Sequence, residues 1–251
     1  MTTEQALTPG QHVTPGQDVT PERAVTPEPA PVDGVLDRLR ALDSCAVSDA
    51  LDAYGLASVV LGPAPVWQVD RVIAGRVRTV TAGPRRSDRP AGHIAAAAVD
   101  ISGPDDVIVI ANDGRLDVSC WGGILSRAAV ARGVAGVVVD GACRDASESR
   151  DLGMPVFARA VVPVSARGRV VQLAMDETIR FGEIDVGPGD FVIADGNGVA
   201  FVPGQDAERI VAFAERIVAR EAAMAEAVDR GRPVADVMHD SQFPATEESG
   251  S

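Results

Sequence analysis

Arg144-Asp145 is separated by two residues from the strand-like run VVVDG (137–141). An arginine at a strand's end can hold a carboxylate or polarise a carbonyl, and an aspartate beside it can ligate a hard cation. The competing reading is a solvated ion pair. Gly122-Gly123 opens the helical stretch WGGILSRAAVAR (121–132). Glycines at a helix start leave backbone N–H groups open to a carboxylate, although a tight turn would use the same residues. Asp140 is a candidate for an Asx turn serving its own loop. Cys143 adjoins Arg144, but no histidine accompanies it, so a small buried filler is the better reading than an activated thiol. His12, His93 and His239 are scattered. HExxH, clustered Cys/His, GxGxxG and GxxxxGK[ST] are all missing, which argues against zinc hydrolysis, dinucleotide binding and P-loop chemistry.

These residues need elements to position them. DVIVIA (106–111) reads as a buried strand, 121–132 as a helix and GVAGVVVDG (133–141) as a turn and a second buried strand. Strand, helix and strand at this pitch make a parallel βαβ unit. The loops NDGRLDVSCWGG and GACRD then follow the carboxyl ends of neighbouring strands, where ligands collect in such sheets, and form opposite walls of one pocket. Elsewhere, 35–42 and 93–101 read as helices. Ser44 and Ser48 are N-cap candidates for a helix that Gly55 ends. Residues 71–82, 154–163 and 169–175 read as strands, and 190–203 as two strands joined by Gly196-Asn197-Gly198. Residues 205–230 read as a long amphipathic helix. The expected fold class is α/β: an α/β/α sandwich with a mixed sheet and a parallel βαβ core.

Within 251 residues, three regions differ. Residues 1–34 carry Thr-Pro at 8–9, 14–15, 20–21 and 26–27, and proline at that spacing predicts a disordered, partly polyproline-II arm. A folded domain is expected over 35–240 and a polar tail over 241–251. The formal charge of −13 argues against nucleic-acid binding. Three separated cysteines fit a reducing compartment, and neither a signal peptide nor a membrane span is evident. A cytoplasmic protein is expected.

SDALDAYGL (48–56), IAGRVRTV (73–80), GPDDVIVI (103–110), WGGILSRAAVARGVAGVVVDGACRD (121–145), PVFAR (155–159) and GDFVIADGNGVAFVP (189–203) occur in this order. Together they resemble the RraA-like family, over about residues 35–240. That family includes 4-hydroxy-4-methyl-2-oxoglutarate and 4-carboxy-4-hydroxy-2-oxoadipate aldolases that also decarboxylate oxaloacetate, and non-catalytic regulators of ribonuclease E. The resemblance implies a homotrimer or hexamer with sites between subunits, and Mg²⁺ or Mn²⁺ anchored by Asp145. It implies Arg144 on a small 2-oxo acid substrate, with the amides of Gly122, Gly123 and Ile124 on its carboxylate. It also implies a glutamate from a neighbouring subunit, for which Glu221 is the candidate. One departure stands out: the aldolase pattern has an acidic residue where this chain has Gly123. A different enolisable substrate and a non-catalytic regulator are the alternatives.

Overall fold

The computed structural model describes residues 33–56, 59–85 and 92–238. The chain divides into two units at Pro31/Val32. The Thr-Pro repeats, His12, His239 and the 241–251 tail lie outside the described residues.

The elements run α1 (Asp33–Arg40), α2 (Ser44–Ala53), β1 (Ala64–Pro65), β2 (Ile73–Pro84), α3 (Ala96–Ile101), β3 (Asp106–Ser119), α4 (Gly123–Arg132), β4 (Gly136–Cys143), α5 (Ala146–Asp151) and β5 (Val156–Val161). They continue β6 (Val170–Met175), β7 (Ile179–Phe181), β8 (Ile184–Val186), β9 (Phe191–Asp195), β10 (Gly198–Val202), α6 (Ala207–Asp229) and α7 (Val234–Val237). The main sheet has the order β1-β5-β4-β3-β2-β9-β10, with β6 also paired to β2. Pairs β2–β3, β3–β4 and β4–β5 are parallel, and the others antiparallel. This is the expected mixed α/β fold with a mostly parallel centre. All eight residues of β4 are buried, as a central parallel strand covered on both faces requires.

Strand alternation sorts the core. Ile108, Ile110, Val137 and Val139 face α3 and α4 around Trp121. Ala74, Ile193, Ala200 and Val202 face α1, α2 and α6. Because Ala74 and Val80 share a face of β2, both helix groups lie on one side of the sheet. On the other side Val107, Val109, Val138 and Phe157 pack against Ile179, Phe181 and Val186. That layer is the β7–β8 hairpin, so helices cover one face and a hairpin the other, where an α/β/α sandwich was expected; sequence periodicity did not show it because each strand is only three residues long.

Three local expectations are corrected. The segment after Ala111, read as loop, continues as strand to Ser119. Its register against β4 breaks twice, between Ala111 and Arg115 and between Arg115 and Ser119. Asp113 and Gly114 supply positive φ there, so the turn-like NDG is a bulge that the strand survives. The cap of α2 is neither Ser44 nor Ser48 but Asp43, whose Oδ1 accepts from the Ala46 N–H at 2.8 Å. Ser44 instead donates its N–H and its hydroxyl to Asp195 at 2.8 and 2.7 Å, fastening α2 to the β9–β10 hairpin. Helix α3 begins only at Ala96, three residues after His93.

Candidate active site

The carboxyl ends of β3 and β4 are laced together by backbone. Cys120 N–H donates to Ala142 O at 2.9 Å, and Arg144 N–H to Trp121 O at 2.9 Å. The Trp-Gly-Gly corner is thereby set beside Arg144-Asp145, the adjacency that the βαβ reading requires. Asp145 lies in the left-handed region (φ 58, ψ 37) just ahead of α5, a conformation aspartate tolerates better than most side chains. In that pose its Oδ2 accepts from Gly123 N–H at 3.0 Å and from Arg144 Nε at 3.1 Å. Both side chains remain partly exposed, Arg144 at 40% and Asp145 at 34%. A cleft of about 420 Å³ opens here between Arg144–Ser147 and Val161–Pro163, so its second wall is the end of β5 and not the segment 112–123 that was expected to face GACRD.

Gly122 is needed for close approach. A Cβ there would stand 3.0 Å from Asp145 Oδ2 and 3.1 Å from Arg144 Cγ. At Gly123 a Cβ would overlap the Glu148 carboxylate outright. Glu148 therefore fills the space that a side chain at 123 would claim, held by Arg127 Nη2 on its Oε1 at 3.1 Å. Sequence reading missed Glu148. Its signal was present, since it stands three residues after Asp145, the spacing of a helix N-cap and the acidic residue in the first turn, but α5 is only six residues long and was not anticipated.

The structure thus brings Arg144, Asp145, Gly122, Gly123 and Ile124 to one corner, and adds Glu148. The Gly123 amide is committed to Asp145. The Ile124 side chain is 78% exposed at the first turn of α4. Glu221 is exposed on α6, which packs on α1 and α2, so a single chain does not deliver it to the cleft. Asp140 is not an Asx cap of its own loop. It is buried, paired with Arg159 Nε of β5, and accepts from Gly182 N–H of the β7–β8 turn at 3.1 Å. Cys143 is buried, which pushes its thiol up to about 11, and burial pushes Cys120 up to about 12. Both are neutral core thiols.

No group of three or more His, Cys, Asp or Glu side chains is placed to hold a metal among the described residues. A hard divalent cation suits what is present: Mg²⁺ is commonly bound through one or two carboxylates with water completing the shell. Asp145 Oδ1 and Glu148 Oε2 carry no hydrogen bond among the described residues, whose bonds fall on Asp145 Oδ2 and Glu148 Oε1, so each carboxylate keeps an oxygen that can ligate a cation.

The RraA-like (Aldolase/RraA) family pattern matches residues 44–201. This chain belongs to the RraA-like family. It is 33% identical to protein DlpA of Legionella pneumophila over 177 residues, covering 70% of this chain but only 29% of DlpA. It is 30% identical over 130 residues to 4-hydroxy-4-methyl-2-oxoglutarate aldolase of Thermus thermophilus, covering 52% of this chain and 75% of that enzyme. In structure it is similar to Streptomyces coelicolor RraAS2, described as an unusual member of the RNase ES inhibitor RraA protein family. That likeness has a TM-score of 0.69 at 28% identity and covers 82% of this chain and all of RraAS2 (100%). No helix among the described residues of this RraA-like chain is long and apolar enough to cross a membrane.

Proposed function

We propose that this RraA-like protein is a divalent-metal-dependent carbon–carbon lyase acting on a small 2-oxo acid. The observation that carries the proposal is the pair of carboxylates, Asp145 and Glu148, flanking the Gly122-Gly123 corner beside Arg144 at the carboxyl ends of β3 and β4. The kinship with an aldolase supports it.

Asp145 and Glu148 would hold Mg²⁺ or Mn²⁺, which when bound supplies Lewis acidity toward the keto acid. Glu148 takes the part of the acidic residue that aldolases carry at the position of Gly123. Arg144, half exposed at the cleft, donates to the substrate's carboxylate or keto oxygen. When the bond beyond C3 breaks, its electron pair stays with the pyruvyl fragment as an enolate, and the guanidinium stabilises the charge gathering on oxygen. In oxaloacetate the departing fragment is CO₂, and in a 4-hydroxy acid it is a carbonyl compound whose hydroxyl proton leaves to water. The two reactions share one enolate and therefore one site. The amides of Gly122 and Ile124 orient the carboxylate, while the Gly123 amide orients Asp145. Around a chain of charge −13, Arg144 and the cation provide the positive charge an anionic substrate needs.

The active form in this proposal is a homotrimer or hexamer. Val161 (51% exposed) lines the cleft and Ile124 (78% exposed) follows the Gly122-Gly123 corner; both are bare apolar side chains that a second copy would cover, and Glu221 would reach the site from that neighbour.

Incubation with oxaloacetate and Mg²⁺, with and without EDTA, tests the reading. Pyruvate release that disappears with chelator and in Asp145→Ala supports it. No turnover of any 2-oxo acid by an intact oligomer overturns it in favour of a binding protein, the reading that the likeness to a ribonuclease-inhibitor family member favours.

A further inference from the structure

A chain of buried hydrogen bonds runs behind the site. Trp121, Ser126 and Ser149 are 2%, 0% and 1% exposed. Trp121 Nε1 lies 2.8 Å from Ser126 Oγ, Ser126 Oγ lies 2.8 Å from Ser149 Oγ, and Ser149 Oγ lies 3.3 Å from the Asp145 carbonyl oxygen. The ends fix the direction of every proton. An indole N–H can only donate and a carbonyl can only accept, so Ser126 accepts from Trp121 and Ser149 donates to Asp145. Each hydroxyl has one proton, so Ser126 donates to Ser149. No donor in the series is wasted.

The same two serines also grip the site through backbone. Ser126 N–H donates to Gly122 O at 3.0 Å, and Ser149 N–H to Asp145 O at 3.0 Å. The Ser126–Ser149 link therefore joins the residue ahead of Gly123 to the residue whose carboxylate receives the Gly123 amide. We infer that Ser126 and Ser149 are positioning residues: together they dock α5 on α4, hold Asp145 in its left-handed pose, and so set the spacing of Asp145 and Glu148. The metal part of this inference rests on the proposed lyase reading; the positioning part does not.

The test uses the full chain and two readings. Ser149→Ala strands the Ser126 proton in the core and removes one bond to the Asp145 carbonyl. In that folded variant, Gly123 amide exchange followed by NMR accelerates roughly tenfold, while amides of β3 and β4 hold their rates. Mn²⁺ affinity, titrated by EPR without substrate, falls by a similar factor, and Ser149→Thr, which restores the hydroxyl, recovers both. If Ser149→Ala does not fold, Ser126→Ala combined with Trp121→Phe removes the upper links without stranding a donor, and the same readings apply. An unchanged Gly123 exchange rate in a folded variant overturns the positioning role. Failure of the unaltered protein to take up Mn²⁺ would instead count against the lyase reading, and the Gly123 amide would still decide this one.

Discussion

Two Arg–Asp pairs hang on β4 and β5, and they differ in nearly every respect. Asp140 and Arg159 are 19 residues apart and meet across neighbouring strands. Asp140's side chain is 3% exposed and both of its oxygens are occupied, one by Arg159 and one by Gly182 N–H. Arg159 also donates from Nη1 to Leu61 O at 3.0 Å. That pair fastens the β7–β8 turn and the segment around Leu61 to the sheet. Arg144 and Asp145 are sequence neighbours, and adjacency limits how well they can satisfy each other. They share one oxygen at 3.1 Å and leave the other without a hydrogen bond among the described residues, in a cleft at the strands' ends. A saturated pair holds structure, whereas an unsaturated one has capacity to spare for a ligand.

The largest effect should come from breaking the saturated pair. Asp140→Ala leaves the Arg159 guanidinium without its counter-ion, which costs about 3–5 kcal/mol. Thermal denaturation should show a Tm lower by roughly 10 °C. Arg144→Ala should do the reverse. Its stability change should stay under about 1 kcal/mol, while kcat/KM for oxaloacetate decarboxylation falls by about 10²–10³. If Arg144→Ala unfolds the protein, or Asp140→Ala leaves Tm untouched, the division of labour between the pairs is wrong.

Glu148 sharpens the contrast further. Glu148→Ala should weaken Mn²⁺ binding about fivefold to tenfold by calorimetry, the order expected for losing one nearby charge from a half-solvated site. Adding Gly123→Asp to that variant should restore binding, because the carboxylate then rises from the other side of the same gap. Gly123→Asp alone should bind worse than either, since its side chain and Glu148 would compete for one space.

Both pairs were only partly legible in the sequence. Arg144-Asp145 was legible because it follows a strand that opens with the apolar run Val137–Val139, and apolar runs define central parallel strands. The Gly122-Gly123 corner was legible for the same reason, as the far end of the crossover. Asp140–Arg159 was not, because pairing across strands depends on register, and the register of β4 against β5 breaks between Val139 and Ala142. Glu148 sits on a helix too short for periodicity to show. The continuation of β3 past Asn112-Asp113-Gly114 was hidden because a bulge uses the residues of a turn. Asp43 was passed over as a cap in favour of Ser44, whose hydroxyl was already taken by Asp195, a residue 151 positions away.

A third arginine–carboxylate pair tests whether good geometry alone gives the strength seen at Asp140. Arg38 of α1 grips Glu215 of α6 through Nε and Nη2, both at 2.8 Å, a two-pronged contact better formed than the Arg144–Asp145 one. Yet its side chains are 33% and 42% exposed, so water screens it and its worth should stay below about 1 kcal/mol. The bond from Arg38 holds the Glu215 carboxyl below its ordinary value of 4.5. A carboxyl depressed on folding contributes stability above that ordinary value, and the contribution is lost as pH falls through the lower, folded one. Urea denaturation should therefore show a small acid-side decline in stability below about pH 4.5 that Glu215→Gln lacks, with no difference in its pH slope near neutrality. Were Glu215→Gln to cost as much as Asp140→Ala, burial would not be what separates the pairs, and contact geometry would have to take its place.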